Sequence, residues 1–204
     1  MNQVSCNGNS ISAVTLEQRE AGEFSAARLE RVFAVCFTDE WRTVLLGGSD
    51  EPYYQPAGKA AELHSLHYRS DYFASALHEV AHWCIAGERR RQLADFGYWY
   101  APDGRDTEQQ RAFESVEVKP QALEWILSQA CGYRFCISVD NLGAAGELES
   151  DTRLFKQEVL AQALHWQRNG LPPRAAVFFA ALGREFGTLL QLGDLELNPG
   201  NLVG

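Results

Sequence analysis

Residues 71–87 read DYFASALHEVAHWCIAG, and this stretch predicts the helix around which the fold is organised. Asp71 or Ser70 can cap its start, and Gly87 can end it. After the cap, Glu79 is the only acidic or basic residue, histidines aside. A helix with so few charges must be buried on nearly all sides, so we expect it at the centre of the domain.

The same stretch contains the pattern His78-Glu79-Val80-Ala81-His82. Residues four apart lie on one face of a helix, so both imidazoles can reach a single cation. Burying two histidines with neither a metal nor hydrogen-bond partners would be costly. The pattern therefore predicts metal ligands at His78 and His82, with Glu79 as the catalytic group beside them.

A third protein ligand is expected on a downstream helix predicted at about 107–131. The acidic candidates on it are Glu114, Glu117 and Glu124. Glu117 is the first choice and Glu114 the alternative, because Pro120 leaves the helical register open. A solvated helix face is the other interpretation of these glutamates. Gln121, one turn after Glu117, is available to support the ligand.

Two histidines and one carboxylate do not identify the metal or the reaction. The set suits tetrahedral zinc with an activated water, as in HExxH peptidases, and it is also the ligand set of non-haem Fe(II) oxygenases. Glu79 would be a general base in a hydrolase and would handle protons or orient a group in an oxygenase. A non-catalytic protein that uses the metal for stability is the third alternative.

The rest of the chain predicts a single α+β domain that is predominantly helical, with a small sheet. Helical spacing indicates two successive helices between Phe24 and Leu46. Further elements are helices at 107–131, 151–168 and 173–186, short strands at 63–68 and 95–106, the latter ending in a tight loop, and a strand or loop at 136–143.

Composition limits the class of protein. The chain has 204 residues, of which 46% are hydrophobic and 22% charged, so collagen-like, disordered and disulfide-scaffold proteins are excluded. Its 18 basic and 27 acidic residues give a net charge of -9, so no direct contact with nucleic acid is expected.

The five cysteines lack CxxC spacing and predict reduced thiols. With no signal-peptide pattern and no long apolar run, a cytoplasmic protein without membrane contact is expected.

Four segments carry a resemblance to a known family: SALHEVAHWCIAG at 75–87, LADFGYWYAPDGRD at 93–106, FESVEVKPQALEW at 113–125 and NGLPPRAAVFFAAL at 169–182. Together they resemble the bacterial elongation factor P hydroxylases, from about Phe24 to about Phe186. The resemblance implies a zincin-like scaffold with a central HExxH helix. Residues 1–22 lie outside it, and because they are rich in Asn, Ser, Gly and Glu without sustained periodicity, we expect a flexible N-terminal extension there and a single catalytic domain at 23–204.

The resemblance also implies an activity. The family hydroxylates the β-lysylated lysine of elongation factor P, the last step of that factor's modification. Carried over position by position, its metal motif falls on His78, Glu79 and His82, and its carboxylate helix on Glu117. The implied metal is a single divalent ion, Fe(II), which zinc can replace in the isolated protein, and the implied co-substrate is dioxygen.

A β-lysylated lysine is long and dicationic, so carboxylates and aromatic rings would suit its binding site. Asp95, Asp103 and Asp106 are candidates for the ammonium groups, while Tyr98 and Tyr100 can contact the methylene chain or an ammonium. Core packing is the alternative for the aromatic residues, and ordinary turn formation is the alternative for Asp103.

Several residues near the motif have simpler interpretations. Arg89–Arg91 follow the predicted helix, where cations favour the negative end of its dipole, and contact with an acidic partner is the alternative. Cys84 lies off the ligand face and is expected in the core. His64 and His67 precede the helix, and we expect them at the surface or in the core rather than at the metal.

Overall fold

The computed structural model describes residues 24–58, 61–97, 107–138 and 148–202, in which helices pack around a small sheet. The main elements are α1 (Ala26–Trp41), β1 (Thr43–Ser49), β2 (Tyr53–Gln55), β3 (His64–Arg69), α2 (Phe73–Ile85), α3 (Thr107–Cys131), α4 (Leu148–Asn169) and α5 (Pro173–Phe186). Short 3-10 turns occur at Arg90–Gln92, Ala94–Gly97, Leu192–Asp194 and Pro199–Asn201. The expectation of a predominantly helical α+β domain with a small sheet is confirmed.

The sheet has three strands in the order β1-β3-β2. The central strand, β3, runs parallel to β1 and antiparallel to β2. Leu66 on β3 pairs with Leu45 on one side and with Tyr54 on the other, and all three side chains are buried. This row of apolar side chains joins the sheet to the helices, and α2 follows β3 directly.

The predicted helix at 71–87 is confirmed as α2, which occupies the centre of the domain. Its fully buried residues, which include Leu77, Val80 and Trp83, lie on one half of the helix, and the residues on the other half are partly buried. It contacts α1, α3, α5 and β3. Cys84 is buried as expected, and burial raises the pKa of its thiol to about 12.

The capping of α2 differs from the prediction. Tyr72 occupies the N-cap position without a side-chain hydrogen bond, so neither Asp71 nor Ser70 caps the helix. Ser70 adopts a left-handed conformation with φ of 51° in the turn that leaves β3. The helix ends at Ile85, before Gly87.

The second helix predicted before Leu46 is wrong, because the chain forms β1 there. Arg42 takes a left-handed conformation with φ of 49° and ends α1 at Trp41. The next residues, TVLLGGS, combine two β-branched residues with two glycines, which all weaken a helix. Gly47 is needed in this strand because a Cβ there would lie 2.5 Å from the Tyr68 hydroxyl.

The strand predicted at 95–106 is also wrong in its described part. Ala94–Gly97 forms a 3-10 turn in which Asp95 and Phe96 have positive φ angles of 47° and 55°. Two consecutive left-handed residues cannot belong to a strand. Residues 98–106 lie outside the described part of the chain, as do the predicted extension at 1–22 and residues 139–143. Residues 136–138 belong to none of the strands.

The helices predicted at 107–131, 151–168 and 173–186 are confirmed as α3, α4 and α5. The helix α3 continues through Pro120, which lies between Glu117 and Gln121. No helix in the described ranges has the length and apolar character needed to cross a membrane.

His64 and His67 have structural contacts in the sheet. The Nδ1 atom of His64 accepts a hydrogen bond of 2.9 Å from the backbone N–H of Ala57. The ring of His67 stacks on Tyr53 with 3.9 Å between centroids. Neither residue belongs to the group of potential metal ligands described below, as expected.

Two arginines donate hydrogen bonds to carbonyl groups at the carboxyl end of α2. Arg174 on α5 donates hydrogen bonds to the carbonyls of Trp83, Cys84 and Ala86, at 2.9, 3.1 and 2.6 Å. Arg91 donates to the Ala86 carbonyl as well, at 2.6 Å. Both cations therefore lie at the negative end of the helix dipole, which confirms for Arg91 the helix-terminus interpretation of the Arg89–Arg91 run.

Replacing Arg174 by Met should lower the free energy of unfolding by about 3 kcal/mol, because three carbonyls at a buried helix end lose a charged donor. Urea denaturation checks this result. Arg168→Met is the control, since Arg168 is exposed and donates to Leu164 within its own helix. Equal stability losses in the two variants would show that the α2 terminus does not depend on Arg174.

Candidate metal centre

Three potential metal ligands meet where α2 packs against α3. His78 and His82 lie one turn apart on α2, with 3.0 Å between their Nε2 atoms. Glu117 on α3 is buried, and its carboxylate oxygens lie 3.4 Å from Nε2 of His78 and 3.3 Å from Nε2 of His82. One ligand atom from each residue lies within 4.8 Å of the others. Glu114, the alternative from sequence, is outside this group.

Glu124 contacts the opposite nitrogen of His78. Its carboxylate lies 2.8 Å from Nδ1, and an ionised carboxylate can only accept, so Nδ1–H donates a hydrogen bond to it. This contact leaves Nε2, which faces Glu117 and His82, as the nitrogen of His78 that a metal would bind. A carboxylate that fixes a histidine in this way is typical of metal sites. Sequence spacing gave Glu124 only as a possible ligand, although its position two turns after Glu117 places both on one face of α3.

The charges of the group fit a bound cation. Burial alone would disfavour a charged imidazole, yet hydrogen bonds and charges from Glu117 and Glu124 raise the pKa of His78 well above its ordinary value. Burial would likewise raise the pKa of Glu117, but His82 and His78 lower it well below its usual range. Both shifts show that the side chains around His78 favour positive charge. A divalent ion bound by His78, His82 and Glu117 could supply that charge in place of a proton.

Gln121 does not support Glu117, contrary to the sequence-based expectation. Its side-chain amide donates to the carbonyl of Ser138 at 2.8 Å and accepts the backbone N–H of Ser138 at 3.0 Å. Both polar ends of the amide are therefore used to hold the loop after α3. Sequence spacing placed Gln121 near Glu117 correctly but gave no information on this loop.

The ligand group lines a cavity of about 660 Å³. His78, His82 and Glu117 lie with Glu79 among its more buried residues, and its exposed residues include Asp95. Burial raises the pKa of the Glu79 carboxyl, against the opposing effect of the two histidines. A raised pKa makes a carboxyl easier to protonate, which suits a group that takes up and releases protons.

Asp95 is the one predicted substrate-binding residue within the described part of the chain. It lines the cavity, and its Oδ1 accepts the backbone N–H of Tyr54 at 2.8 Å. The next residue, Phe96, stacks on the Tyr54 ring with centroids 4.3 Å apart. These contacts hold the left-handed turn in place. Tyr98, Tyr100, Asp103 and Asp106 lie outside the described residues.

Sequence reasoning missed several other residues that line the cavity. They are Glu51, Pro52, Tyr53, Tyr54, Arg69, Ala74, Ser75, Phe113, Cys136 and Ser138. Most come from strand ends and loops, which local periodicity does not bring together. The chemical character of the cavity is nevertheless clear, since acidic and aromatic side chains surround the potential metal ligands.

Removing the Glu124 carboxylate, which contacts Nδ1 of His78, should weaken metal binding although all three ligands remain. We expect Glu124→Ala to lower the affinity for a divalent ion about 10- to 100-fold, because His78 loses the acceptor that fixes its ring. Titration against a competing chelator measures this change. Glu114→Ala on the same helix is the control and should leave affinity unchanged. A larger loss in Glu114→Ala would instead identify Glu114 as a ligand.

Fold and site together define a mostly helical α+β protein in which two histidines and one carboxylate are placed so that they could hold a metal ion. The family model for elongation factor P hydroxylase matches residues 32–194, so the chain belongs to this family. It is 47% identical over 164 residues to the elongation factor P lysine hydroxylase of Haemophilus influenzae, covering 79% of this chain and 90% of that protein. The resemblance seen in the sequence is confirmed, whereas the metallopeptidase alternative gains no support.

Proposed function

We propose that this chain hydroxylates the β-lysylated lysine of elongation factor P, as the final step of that factor's modification. The observation that carries the proposal is the His78, His82 and Glu117 group at a cavity, in a chain of the elongation factor P hydroxylase family. The named relative from Haemophilus influenzae acts on the same factor. The reaction is a monooxygenation, in which one oxygen atom of dioxygen enters the substrate and the other becomes water with two electrons from a reductant.

The proposed cofactor is one Fe(II) ion. His78, His82 and Glu117 would hold it, and the remaining positions would be open to dioxygen and substrate. Iron bound there supplies the redox chemistry that makes dioxygen reactive toward an unactivated C–H bond. The same ligand set also suits zinc, so the isolated protein can carry zinc in its place. We further propose that the scaffold is zincin-like, with α2 as the HExxH helix and α3 as the carboxylate helix.

The protein's own groups would organise the reaction. Glu124 keeps the Nε2 lone pair of His78 directed away from its own carboxylate and toward the metal position. Glu79 is the proposed catalytic residue, because its carboxyl, whose pKa is raised by burial, can accept or release a proton beside the ligands. The ligands lie among the more buried residues of the cavity, where less water would reach the reacting carbon.

The substrate would enter from the exposed part of the cavity. Asp95, Asp103 and Asp106 are proposed to bind ammonium groups, and Tyr98 and Tyr100 to contact the methylene chain. An acidic cavity suits a cationic side chain. We place the protein in the cytoplasm, with residues 23–204 as one catalytic domain and elongation factor P as its partner.

Intact-mass analysis of β-lysylated elongation factor P tests this proposal. The factor is incubated with the Fe(II)-loaded protein, ascorbate and isotopically heavy dioxygen. We expect a gain of one heavy oxygen atom on the modified lysine, and no gain in an anaerobic control. Cleavage of the factor, or an oxygen atom taken from water, would contradict a hydroxylase.

A further inference from the structure

Two oppositely charged side chains in the cavity wall take no part in the metal site. Glu51 follows β1, and Arg69 is the last residue of β3. The strands bring them to one edge of the sheet, because Ser49 pairs with Arg69. Both residues are exposed. Glu51 and Arg69 therefore belong to the open part of the cavity, away from the buried carboxylates.

The described part of the chain leaves both side chains without a polar partner. Within the described ranges, the Glu51 carboxylate and the Arg69 guanidinium have no hydrogen-bond or ion-pair partner, and they do not pair with each other. The other acidic residues in the cavity differ in this respect. Glu117 and Glu124 contact His78, and Asp95 accepts a backbone N–H. Glu51 and Arg69 are thus available to a ligand.

The proposed substrate carries matching groups. A β-lysyl group joined to lysine adds an amide carbonyl and two ammonium groups, whereas unmodified lysine has one ammonium group and no carbonyl. A guanidinium donates hydrogen bonds to a carbonyl, and carboxylates accept them from ammonium groups. Beside Glu51, the half-exposed ring of Tyr53, stacked on His67, offers a flat apolar surface to methylene groups.

We propose that Glu51 and Arg69 are specificity-determining residues that recognise the added β-lysyl group. Glu51 binds the β-ammonium group, which is the one nearer the amide, while Asp95 binds the terminal ammonium group, and Arg69 donates to the amide carbonyl. The proposal rests on the proposed function, since it concerns the substrate of the same cavity. It explains how the enzyme would distinguish modified from unmodified lysine, because a site that binds polar groups of its ligand rejects analogues that lack them.

Binding of small probes tests this recognition without turnover. β-Lysinamide carries both amino groups and an amide, and ε-aminocaproamide lacks one amino group. We expect the zinc-loaded protein to bind β-lysinamide at least about tenfold more tightly in NMR titrations, as one charged hydrogen bond would give. Glu51→Gln should remove this preference, and Glu51→Lys should reverse it. Asp50→Asn is the matched control, since Asp50 is the exposed neighbour of Glu51 and is not among the described residues lining the cavity.

A third probe, the same diamine without its carboxamide, tests Arg69. Arg69→Met should weaken binding of both amides but leave binding of this diamine unchanged or stronger. The inference is overturned if the wild-type protein does not prefer β-lysinamide, if Glu51→Gln keeps the preference, or if Asp50→Asn loses it equally.

Turnover separates this inference from the proposed function. If Glu51→Gln and Arg69→Met hydroxylate β-lysylated elongation factor P with an unchanged KM, the recognition is wrong and the reaction stands. If the wild-type protein hydroxylates nothing yet binds β-lysinamide through Glu51, the reaction is wrong and the recognition stands.

Discussion

The His82→Ala variant should lose its metal and all hydroxylase activity. His82 supplies one of only three protein ligands in the proposed site, and the remaining pair, His78 and Glu117, would hold a divalent ion on the order of a thousandfold more weakly. His78→Ala should behave in the same way. Metal content after gel filtration and the intact-mass assay measure the two effects.

His165→Ala provides the control for this result. His165 is exposed on α4, where its ring lies 3.2 Å from the side-chain amide of Asn169. This variant should keep both metal and activity, which shows that losing a histidine does not by itself disturb the protein. If His82→Ala retained full metal content and turnover, the metal would have to lie elsewhere.

Glu79→Gln should keep the metal and lose the chemistry. The amide has nearly the shape of the carboxyl but cannot take up or release a proton near neutral pH, so we expect the rate of hydroxylation to fall about 100- to 10,000-fold. Single-turnover mass measurements give the rate, and metal analysis of the same sample gives the occupancy.

The two readouts for Glu79 exclude different explanations. Loss of metal in Glu79→Gln would mean that Glu79 is itself a ligand. An unchanged rate with full metal content would remove Glu79 from the reaction. Because α2 is tightly packed, circular dichroism should first show that the variant has the wild-type helix content.

The sequence predicted the part of the site that depends on local geometry. His78 and His82 are four residues apart, so the helix alone brings them together. The position of Glu117 depends on how α3 packs against α2, and spacing could only narrow the choice to three glutamates. The contact of Glu124 with the second nitrogen of His78 depends on the same packing, so it required the structure.

The errors in the predicted fold have a similar cause. Leu45 and Leu46 continue a helical spacing, but β1 forms because Arg42 ends the helix and Leu45 pairs with Leu66 in the sheet. The sequence pattern at 95–106 predicted a strand that included Asp95 and Phe96. Contacts with Tyr54 instead hold these two residues in left-handed conformations. Each outcome is decided by residues distant in sequence, which a local pattern does not include.

The packing of α2 against α3 would give a bound metal a second effect, on the lifetime of the protein. An ion bound by His78 and Glu117 would cross-link two central helices whose ligands are far apart in the chain. It would bind the folded state and not the unfolded one, adding about 2.7 kcal/mol of stability at a free metal concentration 100 times its Kd. Iron scarcity would then lower the amount of folded enzyme in the cell as well as its activity, because the metal-free protein unfolds and is degraded more often.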